Sequence, residues 1–249
     1  MLKQLGDKVS EQRRQNFATI SDGVIESPSN IVGHVRLILR NLVLDIESNL
    51  FTQQKDTCVR CLYCHYVFDD QVDLFENMLL GLSSYANFIS SETLFEYVNG
   101  RKELSGINFH LSFDDGLRNN YVNAAPILEK LNIPATFFIP TNYIDADYNS
   151  VALYCLTKTK YSKVIKLMNS EDIVDLSNRG FSIGSHSHSH SRLSELPRQD
   201  LYNEIFISKD ILENLIQKEC NWFSWPYGTL NDINDEVTKA IQKARYKLT

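Results

Sequence analysis

From residue 58 onward, short apolar runs alternate with longer stretches of helical periodicity, and nothing else in the chain restricts its fold so strongly. The runs at 59–68, 107–113, 135–139, 181–185 and 222–225 read as strands. Helical periodicity marks 72–84, 91–98, 119–131, 170–178, 198–217 and 231–244. Strands separated by helices of this length imply βαβ units, so the chain reads as α/β with a mostly parallel sheet. Such sheets gather reactive groups beyond the carboxyl ends of their strands. Asp114-Asp115-Gly116 follows the second run, His186 the fourth and Pro226-Tyr227-Gly228 the fifth. Three polar signals from three strands therefore meet at one rim.

The first fifty-odd residues differ from this pattern. They are polar as far as Ser29, and then Val35, Leu39, Leu42 and Ile46 fall at helical spacing. Residues 1–57 are expected to form a helical N-terminal extension, with the main domain over 58–249. Residues 142–169 interrupt the alternation as an insertion, read as a lid or a substrate wall. Hydrophobic residues make up 43% of the 249, enough for a sizeable core. The net charge of −6 argues against a nucleic-acid partner, which would want a basic face. No apolar leader opens the chain, and the apolar stretch at 35–46 is too short and too charged to span a bilayer. A cytoplasmic protein without a transmembrane segment is expected. Five cysteines without a secretory leader read as reduced thiols. Cys58, Cys61 and Cys64 resemble part of an iron–sulfur run but lack a fourth ligand, and their apolar neighbours favour a strand.

The chemistry lies in two strings, Ser112-Phe113-Asp114-Asp115-Gly116 and His186-Ser187-His188-Ser189-His190. One carboxylate with two imidazoles suits a catalytic zinc-type centre with coordination positions left for water. The adjacent carboxylate could serve as general base. Each string also has a plainer reading: Asp-Asp-Gly often makes only a turn, and a Ser/His-rich stretch is often a solvated loop.

Together the strings resemble the polysaccharide deacetylase family (NodB homology, carbohydrate esterase family 4). The resemblance runs from Leu62-Tyr63-Cys64-His65-Tyr66-Val67 through Leu111–Gly116 and Ile133-Pro134-Ala135-Thr136-Phe137-Phe138. It continues through Ile183–Leu196 to Phe223-Ser224-Trp225-Pro226-Tyr227-Gly228. It implies an irregular (β/α)7-type barrel, incomplete at its C-terminal end. It also implies a metal-dependent hydrolase that removes the N-acetyl group of an amino sugar in a polysaccharide or its precursor. By position, Asp114 would be the base and Asp115, His186 and His190 the metal ligands. The Tyr227 N–H would hold the oxyanion, with Pro226 and His65 nearby. Zn2+ is the expected ion, with Co2+, Ni2+ or Mn2+ as substitutes. Two departures stand out. Trp225 occupies the place of an arginine that pairs with the base, and no histidine follows Tyr227 to protonate the leaving amine. His65, His110 or His188 could supply that acid. The alternatives are a catalytically impaired carbohydrate-binding or partner subunit, or an amidohydrolase acting on a non-sugar amide.

Overall fold

The computed structural model describes residues 57–159, 163–229 and 231–247. The extension expected over 1–57, with its helix, lies outside them. Chain order is β1 (Cys58–Cys64), α1 (Val72–Ser83), β2 (Asn87–Ile89), α2 (Ser91–Val98), β3 (Ile107–Phe113) and α3 (Ala125–Lys130). It continues with β4 (Thr136–Ile139), α4 (Tyr148–Thr157), α5 (Ser170–Asn178), β5 (Ser182–Ser185), α6 (Arg198–Ile216) and α7 (Asp235–Lys243).

Side-chain caps start several of these helices where the sequence supplies them. Ser90 accepts from the Thr93 N–H ahead of α2, and Asn234 from the Val237 N–H ahead of α7. At α5 Asn169 and Asp172 form a reciprocal capping box, which satisfies two otherwise orphaned amides.

All strand pairs are parallel, in the order β1-β3-β4-β5. One flank of β3 is taken by β1 along its whole length. The other is divided, with β2 on residues 108–110 and β4 on 112–113. Beyond β5 a single parallel bridge joins Ser185 to Phe223. This is the β/α arrangement the alternation implies.

Strand alternation separates two environments. Phe109, Leu111 and Phe113 of β3 point outward into the core, while His110 and Ser112 face a cavity on the other side. Phe113 stacks on Phe137 with ring centroids 4.9 Å apart, and Phe137 meets Phe181 edge to face. The stripe Leu201, Ile205, Leu212 and Ile216 of α6 closes over this layer. A smaller cluster of Leu117, Tyr143, Tyr154, Cys155 and Ile165 fastens α4 to the rim. Cys58, Cys61 and Cys64 lie on β1 as free thiols. At that spacing Cys61 faces opposite to the other two, so the three cannot converge on one cluster.

The structure corrects several boundaries, and the helix expected over 231–244 begins only at Asp235, capped by Asn234. The strand expected over 59–68 stops at Cys64, because side-chain amides capture the next carbonyls: Asn120 donates to His65, and Asn119 and Asn123 to Val67. The segment expected as a strand over 222–225 contributes only the bridge at Phe223. The helix expected over 119–131 opens as a π-type turn, Asn120–Ala124, where Pro126 cannot supply the usual donor. The insertion at 142–169 contains α4.

Gly184 shows how closely β5 packs. A Cβ there would lie 2.5 Å from the Phe138 ring and 3.1 Å from the Trp222 Cβ. Gly184→Ala is expected to destabilise the fold by about 1–3 kcal/mol, as overpacked cores do. Chemical denaturation would measure it, and adding Phe138→Leu should recover part of the loss.

Candidate active site

The strand ends deliver the site. Asp114 and Asp115 follow β3 directly, the His186–His190 loop follows β5, Ser224–Gly228 follows the Phe223 bridge, and His65 follows β1. The backbone turns sharply at three of these deliveries. Asp115, His190 and Tyr227 all have left-handed φ, at 69°, 55° and 70°. Non-glycine residues adopt that region only when their surroundings hold them there, and such residues cluster at functional sites.

Asp115, His186 and His190 are buried, and their ligand atoms all lie within 4.8 Å of one another. The Asp115 Oδ1 is 3.2 Å from His190 Nε2 and 3.5 Å from His186 Nε2, and it accepts a hydrogen bond from the Tyr154 hydroxyl at 3.1 Å. His65 Nε2 is 4.0 Å from the other oxygen. Burial works against the Asp115 carboxylate, but the hydrogen bonds and charges of His186 and His190 outweigh it and hold the group well below the usual range.

The donor set fits a divalent ion. His186 Nδ1 lies 2.9 Å from the Ser224 carbonyl, an acceptor only, so Nδ1 carries the proton. In the neutral ring Nε2 then presents a lone pair to the Asp115 oxygen. Protonated, the ring donates to the carboxylate; neutral, it and the carboxylate both offer lone pairs to one cation. Anchoring the distal nitrogen on a carbonyl is also the usual support for a metal-binding histidine.

Serine hydroxyls hold the histidine loop. Ser185 Oγ donates to Ser208 Oγ of α6 and accepts the Ser187 N–H, and Ser187 Oγ accepts the His190 N–H. Glu204 of α6 accepts both the N–H and the hydroxyl of Ser189. The serines between the histidines are struts, not solvated loop.

Asp114 sits beside this group with its Oδ1 enclosed and without a hydrogen-bond partner. Burial pushes its carboxyl above the usual range, against the opposing pull of His186 and His65. No arginine or lysine pairs with it among the described residues, consistent with Trp225 standing on the cavity wall.

Among the described residues the three other histidines, His65, His110 and His188, separate clearly. His65 lines the cavity beside the carboxylates. His188 Nδ1 is 2.9 Å from Thr141 Oγ1, and His188 is absent from the cavity lining. His110 lies four residues back along β3 from Asp114, about 13 Å at strand rise. Its Nε2 contacts Ser91 Oγ at 2.8 Å, and burial pushes its pKa down to about 4.

The cavity has a volume of about 780 Å³ and runs from these carboxylates down to Ser91 and His110. Tyr63, Trp222, Trp225 and Tyr227 give it aromatic walls, and Lys158 and Thr159 border it from the end of α4. Tyr227 lines it, whereas Pro226 is buried behind. Sequence reasoning missed Tyr154, Glu204 and the serine struts. Only the tyrosine-rich insertion signalled the first.

A family model described as Polysaccharide deacetylase matches residues 101–249, more than half of the chain. Bacillus subtilis YxkH is 27% identical over 138 residues, covering 55% of this chain and 42% of its own length. The poly-β-1,6-N-acetyl-D-glucosamine N-deacetylase of Staphylococcus aureus is 26% identical over 180 residues, covering 70% and 57%. The chain thus spans about half the length of these curated relatives. Among solved structures, IcaB from Ammonifex degensii superimposes with a TM-score of 0.62 at 18% identity, over 78% of this chain and 82% of that one. The Streptococcus pyogenes deacetylase PplD, in complex with acetate, gives 0.58 at 19% identity over 77% and 80%. These two likenesses show a shared fold. On the family match over residues 101–249, the chain belongs to the polysaccharide deacetylase family.

Proposed function

We propose that this protein hydrolyses N-acetyl groups from an N-acetylhexosamine polysaccharide, with Asp114 as general base and His65 as general acid. The observation that carries the reading is the Asp115, His186 and His190 cluster with an unpartnered carboxylate beside it, at the head of a cavity with aromatic walls. The Staphylococcus aureus relative, named for action on poly-β-1,6-N-acetyl-D-glucosamine, supports that substrate class.

Asp115, His186 and His190 would hold a divalent ion, with zinc favoured by the two imidazoles. When bound, such an ion supplies Lewis acidity to an acyl oxygen and acidifies water in its coordination shell. The remaining work falls to the chain. Asp114, free of any arginine partner, takes the proton of the attacking water. The backbone N–H of Tyr227 stabilises the oxygen on which negative charge develops. His65 then gives a proton to the departing amine. Among the described residues His65 is the one further histidine that stands beside the carboxylates, with its ring edge to face against Tyr63 at 5.6 Å. The aromatic walls suit the apolar faces of pyranose rings.

Acetate release from poly-N-acetylglucosamine in the presence of zinc tests the whole reading. Asp114→Asn is expected to lower kcat by about 10²–10⁴-fold while the protein still binds zinc stoichiometrically. Equal turnover by both proteins would remove Asp114 as base.

His65→Ala is expected to depress kcat on the amide to a similar degree. Hydrolysis of p-nitrophenyl acetate, whose phenolate departs without protonation, should stay within a few-fold of wild type. Equal losses on both substrates would show that His65 is not the acid.

Tyr154→Phe removes the hydroxyl that orients Asp115. Zinc affinity, measured by competition with a chromogenic chelator, is expected to fall by about 10–100-fold.

A further inference from the structure

Arg192 lies two residues past His190, outside the cavity lining, yet it is bound to the loop that carries Tyr227 at two points. Its guanidinium carbon sits 4.5 Å above the centre of the Tyr227 ring. The same Tyr227 ring meets His190 edge to face at 5.0 Å. The arginine Nη1 donates to Oδ1 of Asp232. Asp232 is 1% exposed, and its other oxygen accepts both the N–H and the hydroxyl of Thr229, at 2.8 and 2.5 Å. One side chain thus ties both ends of the 227–232 loop to the segment bearing His190. Between them Tyr227 and Gly228 both sit at left-handed φ. Tyr227, which lacks the freedom of glycine, needs an outside constraint to stay there.

We infer that Arg192 is a positioning residue, which holds the Tyr227 N–H and ring at a fixed distance from His190 through the stacked ring and the buried Asp232. The part of this inference that concerns turnover rests on the deacetylase reading above. The clamp itself does not. A planar guanidinium can stack and donate to a carboxylate at once, whereas a lysine can only pair its charge. A donor that acts on charge developing in the transition state affects kcat more than KM.

Two measurements decide it. In hydrogen–deuterium exchange, Arg192→Met should raise exchange in 226–232 at least fivefold, with α6 and β3 unchanged. In kinetics on poly-N-acetylglucosamine with zinc, the same variant should lose at least tenfold in kcat, with KM within threefold and zinc content intact. Arg192→Lys should fall between it and wild type. The loss in the double variant Arg192→Met/Tyr227→Ala should be smaller than the product of the two single losses. Unchanged exchange overturns the clamp, and so do additive kinetic losses or a loss confined to KM. Should the wild type release no acetate at all, the deacetylase reading falls, and the exchange result alone decides the clamp.

Discussion

The carboxylate of Asp115 sets the terms for everything around it. A buried negative charge without compensation costs several kcal/mol. Here it is met from several directions at once. Two imidazoles come from the loop after β5, a phenol from α4, and a third imidazole from the end of β1 lies somewhat further off. The parallel sheet makes this convergence cheap, because every strand ends at the same rim. An antiparallel arrangement would have sent half of those ends to the opposite side.

Asp114 and Asp115 are neighbours in the chain with opposite environments. Asp115 is held anionic by the groups that touch it, while Asp114 is enclosed and pushed the other way by burial. The left-handed backbone at Asp115 sends the two side chains in different directions from one strand end. Two identical side chains thereby acquire different chemistry, which suits one to holding a cation and the other to moving a proton.

Much of this was legible before any coordinates. β3 alternates apolar with polar residues and is closed by two acids and a glycine, and its bounds match the structure residue for residue. α2 and α5 match as well, α5 because Asn169 and Asp172 mark its first turn. What stayed hidden depends on contacts distant in sequence. α4 carries apolar residues on several sides, with Tyr154 buried and Leu153 exposed, so its periodicity is blurred. β2 is three residues long and exists only because β3 offers it half a flank. A hydroxyl that ties one turn to a helix fifteen or more residues away reads, in sequence, like any solvated serine. Of the five site residues expected from the two strings and His65, the structure brings Asp115, His186 and His190 together, with Asp114 and His65 alongside. Choosing His65 over His110 and His188 needed distances that spacing cannot supply.

The struts from Ser185, Ser187 and Ser189 to one another and to α6 use hydroxyls, backbone amides and Glu204, and none of the imidazole nitrogens. The loop therefore owes much of its shape to the helix behind it. A socket built in this way keeps its form whether or not it is filled. Were such a socket to hold an ion, the supply around the folded chain would decide which, and not the moment of folding.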